Sequence, residues 1–124
     1  MKKLPAISDA EWEVMNAVWA DSPVSSAEVV ERLSRAMDWN HRTIKTMLNR
    51  LVKKGALLFE TEGKKYLYRP AVKREECVRS ESRSFLSRFF GGTVGPMLVQ
   101  FVSQADLSAA EIEELKRVLA KKTK

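Results

Sequence analysis

Apolar residues recur at helical spacing in three successive stretches before residue 55. In the first, Trp12, Met15, Val18 and Trp19 share one face of a helix that runs to about Ala20. It opens at Ser8-Asp9-Ala10-Glu11, a capping box in which Ser8 and Glu11 each satisfy the other's orphan N–H. Aromatics on such a stripe are far more often core than ligand cage, so both tryptophans are expected to pack. Asp21-Ser22-Pro23 breaks the chain, and Val24 suits a very short strand. Ser25 to Glu28 repeats the capping box and opens a second helix to about Met37, burying Val29, Val30, Leu33 and Met37. Asp38-Trp39-Asn40 is a tight link, with Trp39 plugging the corner. Asn40 then caps a third helix from His41 to Lys54. Its Ile44, Met47, Leu48 and Leu51 fall on one stripe, and Gly55 suits the left-handed residue that ends many helices.

The pattern changes after Gly55. Leu57-Leu58-Phe59 and Tyr66-Leu67-Tyr68 are strand-type runs separated by polar residues around Glu62-Gly63, a hairpin signal over residues 57–70. Lys64 and Lys65 lie at or just past its tip. A helix-turn-helix with a hairpin directly behind it is a winged helix. From Lys73 the period is helical again, with Cys77, Phe85, Leu86, Phe89 and Phe90 apolar, until Gly91-Gly92. A short apolar helix, PMLVQFVSQ, follows Gly95. Ser108 to Glu111 is a third capping box, opening a helix with Ile112, Leu115, Val118 and Leu119 inward. The fold class is mainly α with a small β-hairpin: a winged-helix domain over residues 1–72 and a helical domain over 73–124. The tail is too short and too apolar to stand alone as a monomer. Phe85, Phe89, Phe90, Leu98, Phe101 and Val102, with Ile112, Leu115 and Leu119, are expected to meet a second copy of the chain across a two-fold axis.

Charge sharpens this reading. The net charge is +6. Residues 1–38 sum to −3, residues 39–72 to +6 and residues 73–124 to +3. No acidic residue occurs between Trp39 and Phe59, and the wet face of the third helix carries only cations, hydroxyls and amides. That concentration is the electrostatic footprint of a nucleic-acid-binding module. Arg42, Thr43, Thr46 and Arg50 are placed for base edges in a major groove, Arg42 for a bidentate contact to guanine. Asn40, Lys45, Lys53, Lys64 and Lys65 are placed for phosphates, which position the protein without reading sequence. A solvated basic face is the plain alternative for one helix alone. A winged helix used for protein interaction would need an apolar or mixed outer face there, and an activator could share the same fold.

Other classes recede. No nucleophile–base pair, metal-ligand set or phosphate-cradling glycine loop occurs, so neither enzymatic activity nor a cofactor or metal is expected. His41, the one histidine, reads as polar surface, and Cys77, the one cysteine, as a small helix residue. No apolar run approaches the roughly 18 residues that cross a bilayer. The start, MKKLPAISDAEWE, has no apolar signal-peptide region, and a cytoplasmic protein is expected. The apolar residues of 1–72 are about what three short helices and a hairpin need for their core, so no small-ligand pocket is expected there.

The runs ISDAEWEVMNAVW, WNHRTIKTMLNRLVKKGAL, YLYRP and LVQFVSQADLSAAEIEELKRVL resemble the penicillinase-repressor family, which includes β-lactamase, methicillin-resistance and copper-responsive repressors. The resemblance covers nearly the whole chain. It implies a winged-helix DNA-binding domain, a helical dimerisation domain and repression by occupying a palindromic promoter site on double-stranded DNA. In the β-lactamase branch it also implies inactivation by a membrane-bound metalloprotease sensor, which cuts the dimerisation domain before a phenylalanine. The matching bond is Gln100–Phe101, where Gln100 departs from the family's asparagine. The copper branch carries paired C-terminal cysteines that this chain lacks, so copper sensing is not expected.

Overall fold

The structure, a computed structural model, describes residues 4–123; the basic start of the chain lies outside them. The elements run α1 (Asp9–Ala20), β1 (Val24–Ser25), α2 (Ser26–Met37), α3 (His41–Lys54), β2 (Leu57–Glu62), β3 (Lys65–Pro70), α4 (Arg74–Phe90), α5 (Val94–Gln104) and α6 (Ala109–Lys122). The chain divides into two compact units, Met1–Ser80 and Glu81–Lys124, and the division falls inside α4.

In the first unit, three helices pack around one apolar core with a small sheet along its edge. All three capping boxes form: Ser8 with Glu11, Ser25 with Glu28 and, in the second unit, Ser108 with Glu111. Val14, Met15 and Val18 of α1, Val29 and Leu33 of α2, and Ile44, Leu48 and Leu51 of α3 are buried together. Trp39 is half-buried against this cluster, as expected of a corner plug. Met37 is not: it is 38% exposed. Asp38 takes a left-handed conformation (φ 56°) directly after it, which turns the chain out of the helix and gives the inner position to Trp39. The two tryptophans of α1 pack edge to face at 5.3 Å, and Trp19 Nε1 donates to the Val72 carbonyl at 3.0 Å. That bond ties α1 to the exit of the hairpin.

The sheet is antiparallel, in the order β1-β3-β2. Val24 pairs with Tyr68, and Phe59 pairs with Tyr68 from the other side. Glu62 opposite Lys65 leaves a two-residue loop, Gly63-Lys64, with the positive φ (65°) on Gly63. Glycine meets that requirement without steric cost.

The second unit has a different character. Its helices are well formed, yet no residue between 81 and 123 is buried. Phe85 packs against Phe89, Phe90 and Phe101 with centroids 5.0, 6.0 and 5.8 Å apart, and the outer rims of these rings stay in solvent. Phe89 is 63% exposed and Val99 68%, and Leu98, Phe101 and Val102 are exposed as well. The expected inward set of the last helix is also corrected for a single chain: Ile112, Val118 and Leu119 are exposed and only Leu115 is half-buried. Within one chain these side chains have no buried core to enter.

Candidate nucleic-acid interface

The third helix presents two sides sharply. Asn40 Oδ1 accepts from the Thr43 N–H at 2.8 Å, which fixes the first turn and leaves the Asn40 NH₂ group facing outward. Gly55 closes the helix in the left-handed region with φ 85°, its N–H reaching the Leu51 and Val52 carbonyls. Ile44, Met47, Leu48 and Leu51 are buried, as the stripe predicted. Arg42, Thr43, Lys45, Thr46, Asn49, Arg50 and Lys53 are all exposed. So are Lys64, in the wing loop, and Lys65, the first residue of β3.

Ion pairing divides the cations into two sets. Arg32, Arg35, Lys54, Arg69, Lys116 and Arg117 are each paired with a carboxylate. Among the described residues, Arg42, Lys45, Arg50, Lys53 and Lys64 enter no ion pair, and neither do Lys65 or several cations of α4 and α6. What sets α3 apart is that its wet face carries no acidic residue beside its cations. Lys65 adds its field to Glu28, whose carboxyl is held below its ordinary value mainly by the Ser25 backbone N–H and hydroxyl. The positive charge of α3 and the wing tip is thus left for an external anion. Lys54 is the exception on α3. It turns inward, donating to the Ala6 carbonyl at 2.9 Å and to Glu11 Oε1 at 2.5 Å. Burial works to raise the Glu11 carboxyl, but Lys54 and the Ser8 hydrogen bonds outweigh it and hold it below its ordinary value.

Between α3 and the wing lies a groove of about 520 Å³, lined by Lys45, Asn49 and Lys53 on one side and by Phe59, Tyr66 and Tyr68 on the other. The groove lies open at the surface between two elements and is not an enclosed cavity. The wing places its aromatic face toward the helix. The alternation of β2 and β3 turns Glu60 and Glu62 to the opposite face, where Glu60 pairs with Arg69 at 2.7 Å. Phe59 and Tyr66, each 49% exposed, belong to the surface and not to the core. The strand runs gave these residues as hairpin positions only; the i, i+2 spacing of Tyr66 and Tyr68 signals that those two share a face, and the register that pairs Phe59 with Tyr68 brings Phe59 to it.

The penicillinase repressor family model matches residues 7–121. The chain belongs to that family. It is 44% identical over 119 residues to the penicillinase repressor of Bacillus licheniformis, covering 96% of this chain and 93% of that one. It is 35% identical over 116 residues to the methicillin resistance regulatory protein MecI of Staphylococcus aureus, covering 94% of each. Among solved structures, the DNA-binding domain of the repressor BlaI superposes with a TM-score of 0.56 at 46% identity, over 61% of this chain and 93% of that one. The monomeric form of Bacillus licheniformis BlaI, solved in complex with the blaP half-operator, gives 0.55 at 46% identity, over the same 61% and 93%. The winged-helix fold of the first unit is therefore shared with these penicillinase repressor structures. Among the described residues no helix is long and apolar enough to cross a membrane, and no cluster of metal-ligand residues occurs.

Proposed function

We propose that the chain is a DNA-binding transcriptional repressor that occupies a palindromic promoter operator as a homodimer. The observation that carries this reading is the set of exposed cations on α3 and the wing tip that have no internal carboxylate. A face built that way suits a polyanion. Support comes from the family and from the BlaI relative solved on a half-operator as a monomer, a stoichiometry of one winged helix per half-site. Arg42, Thr43, Thr46 and Arg50 read base edges, while Asn40, Lys45, Lys53, Lys64 and Lys65 hold phosphates. The positive end of α3 and the Asn40 NH₂ group act together on one phosphate.

Residues 73–124 form the dimerisation domain in this proposal. The exposed faces of Phe85, Phe89, Phe90, Leu98, Phe101 and Val102, with Ile112, Leu115 and Leu119, are what a second copy covers. Release follows cutting or loosening of that domain, with Gln100–Phe101 the bond offered to a membrane-bound metalloprotease sensor. The start of α5 is suited to opening: Thr93 at its N-cap makes no side-chain hydrogen bond, and its first turn has no acidic residue.

The deciding experiment measures binding of the intact protein to its own promoter region and to random duplex, with transcription followed from the same promoter. Tight, sequence-selective binding with transcription lowered supports the reading. Transcription raised by the bound protein would make it an activator, and an absence of DNA binding would leave a protein-interaction module.

A further inference from the structure

We propose that the groove between α3 and the wing seats one strand of the DNA backbone, with the Phe59 and Tyr66 rings packed against deoxyribose and Lys45, Asn49 and Lys53 on the flanking phosphates. The inference rests on the DNA-binding reading above and adds two aromatic residues that the charge pattern does not indicate.

The groove has two unlike walls. Lys45, Asn49 and Lys53 fall at i, i+4 and i+8, so they form one ridge along α3. Their Cα atoms span about 12 Å, a reach that suits successive phosphates better than a single small anion. The opposite wall is aromatic. Phe59 meets Tyr66 edge to face at 5.7 Å and lies 6.2 Å from Tyr68, which is itself buried. Tyr68 thus braces Phe59 from below, and the pair of rings holds its position without a ligand. No carboxylate lines the groove, because the alternation of the strands sends Glu60 and Glu62 to the other face. A nucleic-acid strand offers the matching profile: charged phosphates at regular intervals and a less polar sugar between them. Bases lie on the far side of the sugar, so the rings contribute affinity and not sequence choice.

The test uses the full chain and two duplexes, the operator and a random sequence. Phe59→Ala and Tyr66→Ala should each weaken both duplexes by the same factor, about 5- to 10-fold for one ring's buried apolar area. They should leave the slope of log affinity against log salt unchanged, because no charge is lost. Lys45→Ala should flatten that slope by about one unit. Tyr66→Phe should bind as the intact protein does. A folding defect is separated by a measurement on the unsubstituted protein: the ring protons of Phe59 and Tyr66 should shift in NMR spectra on adding random duplex. Unmoved ring signals, or full affinity in both alanine variants, would show that the strand passes elsewhere. Loss for the operator alone would place the rings in base readout and overturn the backbone assignment. Sub-millimolar binding of benzoate, abolished by Phe59→Ala while affinity for both duplexes stays intact, would assign the groove to a small aromatic anion instead. If the unsubstituted protein bound neither duplex, the DNA-binding reading itself would fail, separately from the groove.

Discussion

Lys54, in the last turn of α3, reaches back to the first turn of α1 and holds the buried Glu11 carboxylate at 2.5 Å. Glu11 Oε1 also accepts from the Ser8 N–H at 2.9 Å, while Oε2 has no partner among the described residues. A carboxylate so placed depends on Lys54 for its charge. Lys54→Ala should cost less than the roughly 3–5 kcal/mol of a pair buried on both sides, because Lys54 itself is half-buried, and the loss is read as a lowered Tm at neutral pH. The pH dependence separates this from lost packing. In the intact protein the Glu11 carboxyl sits below its ordinary value, so its stabilisation is complete above the usual carboxylate range and is lost as pH falls through it. Without Lys54, only the Ser8 hydrogen bonds oppose burial, so the carboxyl lies higher than in the intact protein and its charged form is the less stable one. The deficit of the variant should therefore shrink as pH falls through the usual carboxylate range, where Glu11 is protonated in both proteins. A constant deficit would show that the charge does not matter.

Arg42→Ala and Lys64→Ala should differ in kind. Arg42→Ala should relax selectivity at one base position, at a cost of about 1–3 kcal/mol for the operator. Lys64→Ala should weaken operator and random duplex alike and flatten the salt slope by about one unit. Competition binding against single-base operator variants makes the comparison. Equal losses on all sequences would remove Arg42 from base readout.

A fragment ending at Ser80 should stay folded and be monomeric at micromolar concentration, whereas the intact chain sediments as a dimer. The fragment keeps the Trp19–Val72 hydrogen bond and the buried Cys77 and omits the exposed rings of the tail. A dimeric fragment would move the interface into the winged helix.

Cutting at Gln100–Phe101 should lower operator affinity by about a hundredfold or more, since two linked half-site contacts become independent ones. An engineered protease site in α5 tests it. Phe101 packs on Phe85 and Phe90, so the cut separates that anchor from the first half of α5. Unchanged operator affinity in the cut protein would exclude cleavage as the switch.

How far the sequence could be read follows the range of each signal. Asn40, the stripe of Ile44, Met47, Leu48 and Leu51, and Gly55 lie within one helix, and local periodicity placed them all. The capping boxes are equally local. Glu11 was legible as a cap but not as a buried ion-pair partner, because Lys54 lies 43 residues away. Met37 follows the helical period, but the left-handed turn at Asp38 decided its exposure. The groove depends on which ridge of α3 faces the wing. The register pairing Phe59 with Tyr68 and the packing of the sheet on the helices set that, and neither is encoded in a window of a few residues.

The second unit is a set of helices without an interior. On the dimer reading its only interior is shared with another copy, so its folding is second order in protein and its stability depends on how many chains the cell holds. Dilution during growth and division would then loosen the tail before it affects the winged helix, whose core lies within one chain. Repression would respond more steeply than linearly to the supply of the repressor itself.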